Sequence, residues 1–258
     1  MNRFKEFYSE YEDNHADKFD NYLDIYDDHF KRFKSKKNLV LMEIGVFKGD
    51  SLKMWKYYFG EKVTIYGVDI NPECKKYEDE NIHIIIGSQS DQKFLNKLKE
   101  LVPKIDILID DGGHTMRQQI KTFKILFDHI SEEGVYLCED LHTSYWLSYG
   151  GGHKRTGTFI EFSKNFIDKI NARYSQQRSL KVDAFTRSVK SLHYYDSVLV
   201  IEKGHNISPK RIVDVVSNLG SSPKIIKRNF LTRLLSVLLR MFNRILCFFH
   251  LPSFYYGR

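Results

Sequence analysis

Apolar residues fall in short, regularly spaced runs through the middle of the chain. Five of these runs, at 38–46, 63–70, 82–87, 105–109 and 134–139, are mostly continuous and rich in β-branched residues, the pattern of strands buried on both faces. Between them, the stretches 51–59, 91–102, 116–130 and 158–174 read as helices. Strand–helix alternation of this kind predicts an α/β fold with a parallel, doubly wound sheet. Two later runs, 189–195 and 197–202, have only Asp196 between them. No crossover helix fits in that gap, so these two strands should pair antiparallel. The expected sheet is seven-stranded and mostly parallel, with a final antiparallel hairpin.

The flanks follow other rules. In residues 1–37, Tyr8, Tyr11, Tyr22, Tyr26 and Phe30 recur at roughly helical spacing, predicting a helical cap packed on the 38–204 domain, with a substrate lid as the alternative. From 205 to 258 the chain turns basic and apolar together. Asn229, Arg233, Ser236, Arg240 and Arg244 form one polar stripe, and Leu, Val, Met and Phe fill the other faces. Such a basic amphipathic helix suits a membrane surface, here over 224–256. Packing on the domain and forming a homo-oligomer are its other uses.

Composition sharpens this picture in a few respects. Apolar residues make up 42% and charged residues 28% of 258 positions, enough for a packed core. The formal net charge is +7, but the excess gathers in the tail among Leu and Phe rather than along a stripe beside the sheet, which argues against a nucleic-acid partner. Three cysteines, Cys74, Cys138 and Cys247, are too few and too widely spaced for a disulfide framework or a zinc site. The first residues lack an apolar run, and no stretch of eighteen apolar residues occurs. The expectation is a cytoplasmic protein, held in part at the inner face of the membrane.

The candidate chemistry sits where strands end. After the first strand comes Glu43-x-Gly45-x-x-x-Gly49-x-Ser51. Glycines at a strand-to-helix turn let backbone approach a ligand and leave helix N–H groups facing it. The spacing is not that of the dinucleotide fingerprint. Asp69 closes the second strand, placed to accept hydrogen bonds from ribose hydroxyls. Ser88 and Gln89 end the third, facing the ligand cleft, with Asp91 reading as a helix cap. The fourth strand runs into Asp110, Asp111, Gly112, Gly113 and His114, and the fifth into Glu139, Asp140, Leu141 and His142. Carboxylates gathered at adjacent strand ends repel unless a proton, an Arg or a cation compensates. A hard divalent ion with oxygen ligands does so naturally. Asp110 can instead point back toward the glycine turn. Tyr145 and Trp146 either pack an apolar ligand face or shape their loop. His193 reads as structural, and His153, after Gly150, Gly151 and Gly152, sits on a mobile-looking loop able to close over a substrate.

Taken together, EIGVFKGDSLKMW, IYGVDI, GSQSD, IDILIDDGGH and EDLHTSYW resemble the metal-dependent sugar O-methyltransferases of macrolide biosynthesis, and more broadly the cephalosporin-hydroxylase and rhamnosyl O-methyltransferase group. The similarity covers roughly residues 14–204. It implies a Rossmann-like class I methyltransferase fold that binds S-adenosyl-L-methionine (SAM) through Glu43, Gly45, Gly49, Ser51, Asp69, Ser88, Gln89 and Asp110. It also implies Mg²⁺, or Mn²⁺, on Asp111, Glu139 and Asp140, with His114 as general base and an Asp as the competing candidate. His142 stands where the macrolide enzymes tend to carry Gln, so with Tyr145 and Trp146 it falls among the acceptor-binding residues of a sugar that need not be a macrolide's. The implied function is O-methylation of a sugar hydroxyl on a surface-glycan precursor or a nucleotide sugar. The alternatives are a methyltransferase for a non-sugar small molecule and a non-catalytic, membrane-associated binding module. The intact acidic cluster argues against the second, and the glycine spacing argues against a nicotinamide-dependent oxidoreductase.

Overall fold

The computed structural model describes residues 2–10, 18–205 and 230–254. Five strands run parallel: β1 (Leu39–Ile44), β2 (Val63–Asp69), β3 (Ile82–Ile86), β4 (Ile105–Asp110) and β5 (Ile130–Cys138). The hairpin of β6 (Val189–Tyr194) and β7 (Leu199–Lys203) completes the sheet, with β7 antiparallel to β5. The order is β3-β2-β1-β4-β5-β7-β6. After β3 the chain returns to the far side of β1, so the order reverses between β1 and β4. Open α/β sheets bind ligands at the carboxyl ends of the strands beside that reversal.

Helices cover both faces. On one side α1 (Arg3–Glu10), α2 (Asp20–Phe30) and α3 (Asp50–Phe59) close over one apolar cluster. On the other, α4 (Gln92–Leu101), α5 (Met116–Leu126), α6 (Phe159–Ile170) and the short α7 (Ala184–Ser188) close over a second. The aromatic stripe of the first residues belongs to this core. Phe4, Tyr22, Tyr26 and Phe30 are buried, and the Phe4 and Tyr58 rings stack with centroids 3.8 Å apart. Tyr11 lies outside the described residues. Asp91 caps α4 as expected, accepting the Lys93 N–H at 2.8 Å.

Two boundaries differ from the sequence expectation. The helix read over 116–130 stops at Leu126, a 3-10 turn follows at Phe127–His129, and β5 begins four residues early at Ile130. Buried Lys203 supplies the reason, since its ammonium donates to the carbonyls of Ile130 at 2.6 Å and Phe127 at 3.4 Å. The Phe127 carbonyl takes Lys203 together with the Ile130 N–H of the 3-10 turn, and the Ile130 carbonyl takes Lys203 where the strand begins. Likewise, the helix read over 158–174 ends at Ile170, where the Asn171 N–H turns back onto Asp168 and Lys169.

Glu202 on β7 ties α2 to the sheet by pairing with His29 Nδ1 at 2.8 Å. That hydrogen bond holds its carboxyl down at about 2, against an ordinary 4.5. A depressed acid contributes stability above its unfolded value and loses it as pH falls toward its folded one. Glu202→Gln is therefore expected to cost about 2 kcal/mol at pH 6, with the gap to wild type closing between pH 4.5 and 2. Urea melts across that range are the measurement.

Residues 210–258 form a separate compact unit. Its described part is α8 (Phe230–Phe248) and the segment to Phe254, whose backbone hydrogen-bonds the Asn243 side chain. Among the described residues, no helix is long and apolar enough to cross a membrane. Lys224, Lys227, Arg228 and Asn229 of the expected tail lie outside them.

Candidate functional site

The turn after β1 opens the site. Gly45 has φ +100°, and a Cβ there would fall 1.9 Å from the Asp111 carbonyl oxygen. Only glycine lets the β1 turn pass so close to the chain leaving β4. Asp69 fixes the turn from below, accepting the N–H groups of Val46 at 2.9 Å, Phe47 at 3.0 Å and Asn71 at 2.8 Å. Despite partial burial, these donors hold its carboxyl below the usual range. Glu43 is buried under the turn, accepting from Ser51 Oγ at 2.7 Å and Trp55 Nε1 at 3.1 Å. Burial pushes its carboxyl up to about 7. Gly49 caps α3 in a left-handed conformation, packed on the Tyr77 ring.

A cavity of about 420 Å³ lies over this turn, lined in part by Gly45, Asp69, Ser88, Gln89, Asp111 and His114. Glu43, Ser51 and Asp110 do not line it. They support it from beneath, with Asp110 accepting from Tyr136 Oη at 3.0 Å and from Gln89. Gln89 spans both levels, because its carbonyl also accepts the Gly113 N–H at 3.1 Å. Burial raises the Asp110 carboxyl to about 7.

At the far wall stands the acidic centre. Asp111 and Asp140 line the cavity, and Glu139 is buried behind them. Asp140 and His114 both adopt left-handed backbone, with φ of 55° and 52°. Such conformations cost about 1–3 kcal/mol each, and proteins keep them mainly where a site needs them. The result is tight convergence: His114 Nε2 lies 3.4 Å from Asp140 Oδ2 and 4.0 Å from Asp111 Oδ1. Ligand atoms of Asp111, His114 and Asp140 all fall within 4.8 Å of one another. Burial first, with repulsion from Glu43 and Asp140 on Asp111 and from Asp111 on Glu139, outweighs the pull of Lys18 and drives both carboxyls up to about 7. Burial lowers His114, leaving a neutral imidazole, and its buried Nδ1 has no hydrogen-bond partner. Hard oxygen donors, excess negative charge and an unsatisfied ring nitrogen fit a divalent cation.

Residues 42–141 match the sequence model of a methyltransferase domain. The MycE methyltransferase of the mycinamycin biosynthetic pathway, solved with Mg and SAH, superimposes with a TM-score of 0.71 at 29% identity, over 91% of this chain and 60% of that one. This chain carries a methyltransferase domain with the class I fold. Among curated relatives, the 8-demethyl-8-alpha-L-rhamnosyl tetracenomycin-C 2'-O-methyltransferase of Streptomyces olivaceus is 33% identical over 194 residues, covering 72% of this chain and 50% of that one. The mycinamicin VI 2''-O-methyltransferase of Micromonospora griseorubida is 35% identical, covering 70% and 47%. The chain thus spans about half the length of the curated relatives it matches.

Beyond the acidic centre, the chain has a second cavity of about 330 Å³, bounded by Phe19, Asn21, Tyr22, His142, Trp146 and Asp196. His142 is held by Ser197 Oγ at 2.6 Å, and its ring lies 4.7 Å from that of Trp146. Trp146 and Tyr145 are about half exposed. The triple-glycine loop is stitched down, contrary to its mobile-looking composition: Gly151 and Gly152 donate to the carbonyls of Trp146 and Ser144 at 2.9 and 2.8 Å. Gly151 is small because a Cβ would meet the Thr143 carbonyl oxygen at 2.5 Å. His193 lies against the His29 ring and bonds Ser191, away from the methyltransferase cavity.

Sequence reasoning missed three contributors to the methyltransferase site, all from the first residues. Tyr22 Oη donates to Asp140 at 2.9 Å, Tyr26 Oη to Glu139 at 2.6 Å, and Lys18 Nζ to both Asp111 and Glu139. Tyr22 and Tyr26, four apart, share one face of α2, and Lys18 reaches the same carboxylates from the segment just ahead of that helix. The two tyrosines read as packing, and a lone lysine two residues before a helix carries no signal of its own.

Proposed function

We propose that this methyltransferase transfers a methyl group from SAM to a sugar hydroxyl, assisted by a divalent cation at the acidic centre. The observation that carries this reading is the single cavity in which the glycine turn and Asp69 face Asp111, Asp140 and His114. Relatives named as O-methyltransferases of rhamnosyl tetracenomycin and mycinamicin support it, as does the MycE structure with Mg and SAH.

Gly45, Asp69, Ser88 and Gln89 would hold SAM, with Glu43, Ser51, Gly49 and Asp110 fixing their positions. When bound, SAM would supply an electrophilic methyl; Asp111, Glu139 and Asp140 would hold Mg²⁺ or Mn²⁺, which would supply Lewis acidity toward the acceptor hydroxyl. The remaining work falls to this chain's own groups. Neutral His114 would take the hydroxyl proton on Nε2 as the O–H bond breaks and the O–C bond forms, while the S–CH₃ bond of SAM breaks and S-adenosylhomocysteine leaves with that electron pair. Trp146 and Tyr145 present flat apolar faces to a sugar ring, and Asn21, His142 and Asp196 offer polar edges to its hydroxyls. This half-aromatic, half-polar wall fits a glycoside better than a charged polymer.

The direct test is transfer of labelled methyl from SAM to a panel of simple glycosides, nucleotide sugars and lipid-linked sugars, with Mg²⁺ or with EDTA. Mg²⁺-dependent labelling of a sugar is the expected result. Labelling indifferent to EDTA removes the cation from the reading. If SAM fails to bind in calorimetry, the whole reading falls.

The basic α8 supports a placement on anionic membrane, where the acceptor would be a surface-glycan precursor. Exposed Leu234, Leu238, Phe242 and Ile245 would enter the acyl boundary while Arg240 and Arg244 meet headgroups. The full chain is expected to float with phosphatidylglycerol-containing vesicles, and a truncation ending at Gly204 to bind them at least tenfold more weakly. Equal flotation of both excludes this role for the tail.

A further inference from the structure

Lys18 occupies an unusual place. Its side chain is only 5% exposed, and its ammonium bridges Asp111 Oδ2 and Glu139 Oε2, the latter at 2.7 Å. Burial works against its charge, but Asp111 and Glu139 more than offset that and hold the amine well above its ordinary value. These are two of the three carboxylates assigned above to the divalent cation.

We propose that Lys18 is a built-in counter-ion that keeps the cation's seat, and that the divalent ion binds by displacing it from Asp111 and Glu139. The inference rests on the metal-assisted reading of the site. Its first ground is space. An ammonium that bridges two carboxylate oxygens fills the point from which a metal ion would reach the same oxygens, because Mg²⁺ sits about 2.1 Å from each ligand. One position does not hold both.

The second ground is charge. Asp111, Glu139 and Asp140 carry three negative charges when ionised, and Lys18 returns one. Two remain uncompensated among the described neighbours, since Tyr22 and Tyr26 donate hydrogen bonds without charge. A divalent ion exchanging for Lys18 leaves one negative charge instead of two and brings short ion–oxygen contacts. A monovalent ion gains nothing by the same exchange.

The third ground is the means of release. Lys18 lies two residues ahead of α2, on a flexible four-carbon stem, whereas Tyr22 and Tyr26 project from the packed helix itself. Exchange therefore needs only the lysine to swing out, while the tyrosines keep orienting Asp140 and Glu139. Lys18 also adjoins Phe19, which lines the second cavity.

Amine footprinting on the full-length wild-type chain is the first test. In EDTA, Lys18 should resist acetylation, and saturating Mg²⁺ should raise its labelling rate at least tenfold while Lys53 and Lys164 stay unchanged. Protection of Lys18 in both conditions, with Mg²⁺ shown bound by calorimetry, overturns the proposal. The second test compares Mg²⁺ titration of wild type with Lys18→Met and Lys18→Gln. Both variants should bind Mg²⁺ at least tenfold more tightly, and melt lower than wild type in EDTA but not in Mg²⁺. Equal or weaker binding by the folded variants makes Lys18 a partner of the ion rather than its competitor, which overturns the idea. If no protein of the set binds Mg²⁺ or Mn²⁺, the metal reading itself has failed and the exchange with it.

Discussion

Gly45→Ala is expected to remove at least about 4 kcal/mol of stability and to abolish SAM binding in whatever folded fraction survives. Two costs add at this position. A side chain at φ +100° is strained by about 1–3 kcal/mol before it touches anything. The new Cβ would then sit 1.9 Å from the Asp111 carbonyl oxygen, 2.6 Å from its carbon and 3.0 Å from Gly112 Cα. All three are backbone atoms, so no rotamer relieves the clash. The β1 turn has to separate from the chain leaving β4, where the Asp111 N–H now donates to the Ile44 carbonyl at 2.9 Å. That contact sets the width of the cavity floor and the position of Asp111 together. Gly60→Ala is the matched control, with φ +78° and open space around it. It should lose only about 1–3 kcal/mol, the strain without the clash. Urea melts and SAM calorimetry on both variants decide the matter. A Gly45→Ala protein within about 1 kcal/mol of wild type would mean that β1 and β4 are less closely joined than described.

The same contact shows why the sheet was legible in the sequence. Runs such as Ile105–Asp110 and Val63–Asp69 are mostly apolar because helices cover both faces of these strands, and that burial leaves a one-dimensional signature. The hairpin was legible because the gap at Asp196 is shorter than any crossover. The carboxylates at strand ends were legible for a related reason: a strand end fixes where its next residues point, so Asp111, Glu139 and Asp140 were bound to converge once β4 and β5 paired.

What stayed hidden depends on contacts between residues far apart in the chain. Lys203 ends a helix more than seventy residues before it by binding the carbonyls of Phe127 and Ile130, and nothing near 127 announces this. Lys18 meets Asp111 across 93 positions and Glu139 across 121. Asp69 presents a subtler case. Its place at the end of β2 marked it for ribose, but it also accepts from Val46 and Phe47, a task invisible until the turn is built. Both of those bonds fall on Oδ2 and fill its two lone pairs, so a ribose hydroxyl would be met by Oδ1, which also accepts the Asn71 N–H. The N-terminal helices join structure to chemistry in the same way: the stripe that buries Tyr22 and Tyr26 also aims their hydroxyls at Asp140 and Glu139. Packing and site geometry are therefore one constraint on α2.

That overlap bears on Asp111→Asn, which is expected to lower methyl transfer by about 10³-fold or more while leaving the fold intact. The substitution keeps the shape but removes one of the three charges facing the cation and turns an acceptor into a donor toward Lys18 and His114. Its effect on stability should run the other way. The Asp111 carboxyl is raised to about 7 by burial first, so the folded protein binds a proton more readily than the unfolded chain. Such a group destabilises the fold as pH rises through the interval between its unfolded and folded values, and the penalty is complete above pH 7. At pH 8 in EDTA, Asn removes that penalty but gives up a hydrogen bond from Lys18. The variant should melt no lower than wild type, and by up to ~2 kcal/mol more stably. As pH falls from 8 toward 4, wild type takes up its proton and the difference should vanish. In saturating Mg²⁺ the order should invert, because only wild type gains the bound ion's stabilisation. An inactive protein that is more stable in EDTA and less stable in Mg²⁺ would show that the acidic centre is held in the fold against its own repulsion for the sake of a cation. A variant retaining a tenth of wild-type activity would place the cation elsewhere, and one that melts far lower in EDTA would make Asp111 a structural partner of Lys18 first.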